Sequence, residues 1–501
     1  MAFCRTNARR RRSHTRDRPD AVPPEPPTPP EDESSRQRWS AFAVCLAAGF
    51  LTLLDVSIVN VALPSIDRAL SADPAQVQWI VAGYTLAFGL VLVPAGRLGD
   101  LFGRRRMFLI GVTLFALTSA FCGAAQSAEM LALARVLQGV AAGTLNPQVI
   151  ALIQELFRGP ERARAFGMFG ATVGISTAIG PLLGGALIAL FGAEEGWRAV
   201  FWVNVPVGAV VLILAWRLLP RLQPTGRKVG IDVAGLVLLG ITVLAFMLPF
   251  VESSEGGGAA GAPWWLLAVS AIAGTAFLWW ERRYEKAGGH PVITRDLLRT
   301  PSYTRGATVG MLYFAGFTGI FLLATLYLQS GLGLAPWQAG LVLTPFALAG
   351  AVSSWWSGRW VARAGRRLVI AGAALMITGV VIADVLVSVV DGPAAAWWLA
   401  GVLVISGFGN GIVISPNQAL TLADVPVHRA GVAGGALQTG QRVGTSVGVA
   451  ASASMFFATL ATTGDYGHAM SVGLRVVLGV LLLALIVAVV DQRARGKAAG
   501  A

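Results

Sequence analysis

From residue 41 onward the chain is dominated by fourteen apolar runs, most of them as long as the roughly 20 residues a helix needs to cross a bilayer. They lie at about 41–63, 77–96, 107–126, 129–153, 163–191, 198–219, 231–251, 264–281, 303–329, 338–358, 368–390, 396–421, 431–457 and 470–490. Hydrocarbon offers no partner for a backbone N–H or C=O, so runs of this length dictate helices. With 55 % hydrophobic and 13 % charged residues, there is too little polar surface for a set of soluble domains. The expectation is an all-α integral membrane protein with 14 transmembrane helices.

The connections carry an orientation signal. Arginines and lysines gather in alternate loops, at Arg97 and Arg104 to Arg106, Arg158 to Arg164, Arg217 to Lys228, Arg282 to Arg305, Arg359 to Arg367, and Arg429. The opposite loops carry mainly acids, among them Asp67, Asp73, Glu129, Glu194, Glu195, Glu252, Asp391 and Asp465. A wrong helix count would scramble this alternation, so both termini are expected in the cytoplasm, with the chain multi-pass in the cytoplasmic membrane. The net charge of +13 is therefore a topology signal and does not point to nucleic acid. Residues 1–39 are basic and then proline-rich, without apolar periodicity, and read as a disordered cytoplasmic tail with no signal peptide.

An internal repeat divides the membrane region. "GRLGDLFGRRR" starts at Gly96 and "GRWVARAGRRL" at Gly358, with matching glycines and arginines, each in the connection after the second helix of a half. This predicts two six-helix bundles, helices 1–6 (residues 40–220) and 9–14 (301–491). Residues 221–300 form a linker with helices 7 and 8, and 492–501 form a second tail. Parallel halves place a substrate site between them at mid-depth and allow alternating access.

Three cysteines (Cys4, Cys45, Cys122) and four scattered histidines offer neither a disulfide framework nor metal ligands. Nothing resembles a convergent catalytic set, which argues against an enzyme. A sensor or structural membrane protein remains a non-transport alternative, but it would need neither the repeat nor deep charges at matched depth. Those charges are Asp55 and Arg135. Asp55 lies roughly 21 Å along helix 1, and Arg135 enters on helix 4 from the opposite surface to nearly the same layer. An ionised group at such depth needs a partner, water or a proton.

The ordered motifs resemble the major facilitator superfamily, and within it the fourteen-helix drug:proton antiporters. They are "LDVSIVNVALP" (54–64), "GRLGDLFGRRR", "RVLQGVAAG" (135–143), "GPLLGG" (180–185), "GWRAVFWVNVPVG" (196–208), "IDVAG" (231–235), "LYLQ" ending at Gln329, and "AGVAGGALQTGQRVGTSVG" in helix 13. The resemblance implies the two-bundle fold and proton-coupled efflux of small amphipathic compounds such as drugs, antibiotics or secondary metabolites. It implies no cofactor beyond the proton gradient. Its partners would be that substrate, protons and the lipid bilayer. A proton-linked importer or facilitator of a nutrient is the alternative within transporters.

By the same resemblance Asp55 is the proton carrier and Arg135 its modulator, although a static pair serving assembly is also consistent with the residues. Asp55→Asn is then expected to fold normally and lose coupling. Gly96, Asp100, Gly103, Arg104 and Arg105 form a cytoplasmic latch, asymmetric because Ala362 replaces Asp100 in the repeat. Gly180, Pro181, Gly184 and Gly185 form the antiporter hinge, or else serve plain packing. Candidate cavity residues are Asn60, Gln138, Asn146, Tyr313, Phe317, Gln329, Asn410, Gln438 and Arg442, for which helix packing is the competing reading. Asp384 reads as interfacial. With Asp55 reserved for the proton, no deep acid is left to pair a dication unless Glu155 turns inward. Neutral, weakly basic or anionic compounds are therefore expected over bivalent cations.

Overall fold

The computed structural model describes residues 31–192, 194–221, 230, 232–255, 261–390 and 392–499. Most of the basic, proline-rich tail and the charges at Arg227, Lys228 and Asp391 lie outside the described residues. Fourteen long helices follow in order: α1 Glu31–Leu70, α2 Pro74–Phe102, α3 Arg104–Gly123, α4 Ala128–Leu156, α5 Gly159–Phe191, α6 Gly196–Leu218 and α7 Val233–Glu255. The rest are α8 Leu266–Lys286, α9 Pro301–Leu326, α10 Pro336–Ser357, α11 Arg366–Val389, α12 Ala394–Thr421, α13 Ala430–Thr463 and α14 Tyr466–Ala499. Among the described residues thirteen of these are long and apolar enough to cross a membrane, by length and composition. The fourteenth, α8, ends in the charged stretch Glu281 to Lys286 but is 21 residues long and pairs with α7. No strand occurs among the described residues.

Helix α1 begins before residue 40, inside the stretch expected to be tail. Trp39 packs its ring against Phe42 and Phe157, and Arg38 pairs with Glu161 at 3.3 Å, so the first turns are held against α5 and the end of α4. At the other terminus α14 likewise runs on through the expected tail to Ala499.

The repeated "loops" are largely helical. Residues Gly96 to Phe102 finish α2, and the chain turns at Gly103 alone, whose φ of 96° suits a residue without a Cβ. Its repeat partner Gly365 turns with φ 52° before α11. The symmetry extends to contacts. Arg104 reaches Glu155 on α4, and its counterpart Arg366 reaches Asn417, the residue at the same repeat position on α12.

The halves meet through α2 against α13 and α5 against α10, with α7 laid along α2 and α13 and α8 paired to α7. Small residues set these crossings: a Cβ on Gly167 would come within 2.9 Å of the Gly358 Cα, and Gly96 and Gly431 face each other's carbonyls. Such close approach is how helices adhere in a solvent as apolar as their own side chains.

Candidate functional site

A cavity of about 1370 Å³ lies between the halves. Its lining reaches the surface opposite the termini at Asp67, Ala72 and Pro336, and its floor includes Ser354 and Gln418. Phe314, Phe317, Phe321 and Phe346 form one wall, ring edge to ring face at 4.9–6.1 Å. Asn60, Asn146, Asn410, Gln438 and Gln441 interrupt the apolar surface with amides. Gln329, the end of the "LYLQ" motif, lines it from a π-helical turn at Tyr327–Gly331, a geometry that recurs at functional sites.

At the terminus-bearing end the halves are closed. Asp100 accepts hydrogen bonds from the backbone N–H groups of Gly431 and Val432, both at 3.0 Å. It thereby caps the first turn of α13, whose N–H groups have no intrahelical partner and whose dipole favours an anion. Arg104 holds Asp100 at 3.3 Å and Glu155 at 3.0 Å and donates to the Val427 carbonyl. Glu155 therefore serves this cluster and does not turn into the cavity. Arg105 stands apart, donating to the Trp216 carbonyl at 2.6 Å. In the second half the acid missing at Ala362 is replaced from elsewhere: Asp491 of α14 accepts from Arg366 at 2.7 Å. That pair lies within one half and does not bridge the two.

Asp55 and Arg135 meet, as equal depth suggested. The Arg135 guanidinium donates to Asp55 Oδ2 at 2.7 Å, while Oδ1 accepts from Gln138 at 2.9 Å and Asn204 at 2.8 Å. Arg135 also donates to Gln138 Oε1 at 2.7 Å and to the Ile80 carbonyl at 3.2 Å, and lies 4.2 Å from the Tyr84 ring centroid. Both partners are buried, and neither lines the cavity. The pair sits behind α1, among α2, α3, α4 and α6, so the carboxylate's neighbours Val56 and Ser57 reach the cavity while it does not.

A two-ring stack connects this cluster with the cavity. Tyr84 and Phe88 on α2 stack at 6.1 Å, and Arg442 lies 4.6 Å from the Phe88 ring, on the cavity side.

Helix α5 remains continuous through Pro181, which lines the cavity. Proline has no N–H for the carbonyl four residues back. Here Ser57 of α1 donates its hydroxyl to that carbonyl, on Thr177, at 3.1 Å. Gly180 is packed on Ser57 and Gly184 on Ile58, each leaving no room for a Cβ to enter freely. Gly185 has nothing within 4 Å of the position a Cβ would take, so close packing does not account for it.

Of the cavity candidates, Asn60, Asn146, Phe317, Gln329, Asn410, Gln438 and Arg442 line the cavity. Gln138 does not, because its amide is held between Asp55 and Arg135. Tyr313 is buried behind the wall and donates to Asn410 at 2.9 Å, so it positions an amide. Asp384 accepts from Ser471 and Arg475 on α14, away from the cavity. Asn204, Ser57 and Asp491 escaped the sequence reading. Asn204 and Ser57 stand inside quoted motifs as polar residues in apolar helices, a usable signal; Asp491 had none beyond its charge. Cys45 and Cys122 are buried free thiols, and no group of three or more potential metal-ligating acid, thiol or imidazole side chains occurs among the described residues.

Residues 45–449 match the Major Facilitator Superfamily. The chain is 38% identical to a probable actinorhodin transporter of Streptomyces coelicolor, over 85% of this chain and 73% of that protein. It is 35% identical to a puromycin resistance protein of Streptomyces alboniger, over 91% and 92% of the two chains. Among solved structures, the proton:xylose symporter XylE superposes with a TM-score of 0.65 at 16% identity, covering 90% of this chain and 95% of that one.

Proposed function

The chain belongs to the major facilitator superfamily of transporters, and on that premise we propose that it is a secondary active transporter exporting small amphipathic compounds of the antibiotic or secondary-metabolite kind. Export is driven by inward proton flow through alternating access at the cytoplasmic membrane, with both termini in the cytoplasm. The probable actinorhodin transporter and the puromycin resistance protein, similar along most of their length, support the substrate class, and resistance gained through a transporter is consistent with outward movement.

The observation that carries the reading is a large, aromatic-walled cavity closed by Asp100 at one end and separated by one helix from a buried carboxylate. In this geometry the termini end is shut and the cavity faces outward. Protonation of Asp55 would cancel its attraction for Arg135 and loosen the packing of α1 on α4 and α6. Because Ser57, two residues on, holds the proline-freed carbonyl of α5, movement of α1 passes to α5 and so to its contact with α10 between the halves. Gly180 and Gly184 let the two helices slide in contact, and breaking the Asp100 bonds to α13 opens the other end.

Inverted membrane vesicles test this directly. With an acid interior imposed, vesicles carrying the chain should accumulate puromycin or actinorhodin, the compounds its relatives are named for, and a protonophore should abolish the uptake. Movement in the same direction as the protons would instead favour the importer alternative. Transport indifferent to the gradient would favour a facilitator.

A further inference from the structure

The charge inside the cavity is one-sided. Among the described lining residues only Asp67 and Arg442 are charged. Asp67 stands at the mouth, one turn from the end of α1, and is exposed. Arg442 stands about a third of the way along α13, beside Gly89 of α2. Its side chain makes no hydrogen bond and no ion pair to any described residue, and its guanidinium rests on the Phe88 ring. The other deep arginines among the described residues are engaged: Arg135 by Asp55, Arg104 by Asp100 and Glu155, and Arg366 by Asp491.

A guanidinium offers several fixed donors in a fork that matches a carboxylate, and none of them is used here. The ring beneath contributes attraction but satisfies no N–H. Taking such a group out of bulk water is unfavourable unless an acceptor meets it. Beside it, one turn back on the same helix, Gln438 has a buried Oε1 without a partner, and Gln441 also lines the cavity. Opposite these polar groups runs the edge-to-face phenylalanine wall, which suits a flat aromatic body.

We propose that Arg442 is the recognition site for an anionic group on the exported compound, a carboxylate or a phenolate, and that the cavity selects planar aromatic organic anions. The proposal rests on the export reading and narrows its substrate class. A bivalent cation finds only Asp67, at the mouth, and meets the Arg442 charge deeper in. One consequence concerns energetics. Exchanging a monoanion outward for a proton inward moves more charge than exchanging a neutral compound, so the membrane potential should accelerate anion export beyond what the pH gradient gives.

Equilibrium dialysis of the purified full chain against an anthraquinone carboxylate, the matching carboxamide and the matching aminomethyl cation tests the assignment. Wild type should bind the carboxylate about tenfold or more tightly than the carboxamide, as expected of a charge-assisted hydrogen-bonded pair, and the cation weakest. Arg442→Gln should bring the carboxylate-to-carboxamide ratio close to one, while Arg442→Lys, which keeps the charge, should retain most of it and guard against misfolding. A wild-type ratio near one, a preference that survives in Arg442→Gln, or a cation bound as tightly as the carboxylate overturns the proposal. If the carboxamide is exported under a pH gradient without any carboxylate preference, only the anion site fails. If neither compound is bound or moved, the export reading fails with it.

Discussion

Replacing Asp55 by Asn separates a proton-coupling role from a structural one, provided it is paired with a change at Arg135. In the native cluster the carboxylate accepts from Arg135, Gln138 and Asn204 at 2.7–2.9 Å. An amide in its place offers one oxygen and an NH2 group, and the NH2 would face donors already aimed at Oδ1 or Oδ2. It also leaves the Arg135 charge buried without a counter-ion, among neutral groups: the Gln138 and Ile80 oxygens and the Tyr84 and Phe201 rings. Removing one member of a buried pair costs about 3–5 kcal/mol. The expectation from sequence that Asp55→Asn folds normally therefore needs revision: the single variant should be clearly destabilised. The double variant Asp55→Asn/Arg135→Gln replaces the pair by neutral amides and removes the uncompensated charge. It should recover at least half of the loss, a coupling energy of about 2 kcal/mol or more. Thermal unfolding in detergent measures this, and transport in liposomes under an imposed pH gradient measures the rest. Both variants should lose gradient-driven transport, the double variant despite its restored stability. Gradient-driven transport regained by the double variant would refute proton carriage by Asp55. Full stability of the single variant would refute the sealed ion pair.

Three further outcomes follow from the same geometry. Asp100→Asn weakens two charge-assisted bonds between the halves, so spin labels at Arg158 and Arg363, compared with labels on the unaltered latch, should show the terminus-bearing end opening; Ala362→Ser should leave it shut, and an unchanged separation in Asp100→Asn counts against the latch. Gly180→Ala drives a Cβ into Ser57 and should cost about 1–3 kcal/mol by overpacking, whereas Gly185→Ala, with open space around it, should keep the wild-type melting temperature. Ser57→Ala strands the Thr177 carbonyl freed by Pro181 and should cost about 1–3 kcal/mol, with Ser57→Thr restoring most of it; equal melting temperatures for all three forms would show that water satisfies the carbonyl.

Much of this protein was legible before any coordinates, and the legible part is the part the bilayer dictates. A solvent without hydrogen-bonding partners converts every long apolar run into a helix, so span count and the repeat read directly from the chain. The constant rise per residue then placed Asp55 and Arg135 in one layer, and they do pair. Depth is a one-dimensional quantity and survives folding. Azimuth does not. Which way Asp55 faces around α1 depends on α2, α3, α4 and α6 packing behind it, and so the acid came to lie outside the cavity while Asn60, five residues further on and about 140° around the helix, lines it. The same freedom moved Gln138 into the ion-pair cluster and Tyr313 behind the wall. Partners far apart in the chain were equally hidden: Asn204 is 149 residues from Asp55, and Asp491 supplies an acid to Arg366 from 125 residues away. Only side-chain packing between helices brings such groups together, because the hydrophobic pattern that drives each helix into the membrane is nearly the same on all its faces.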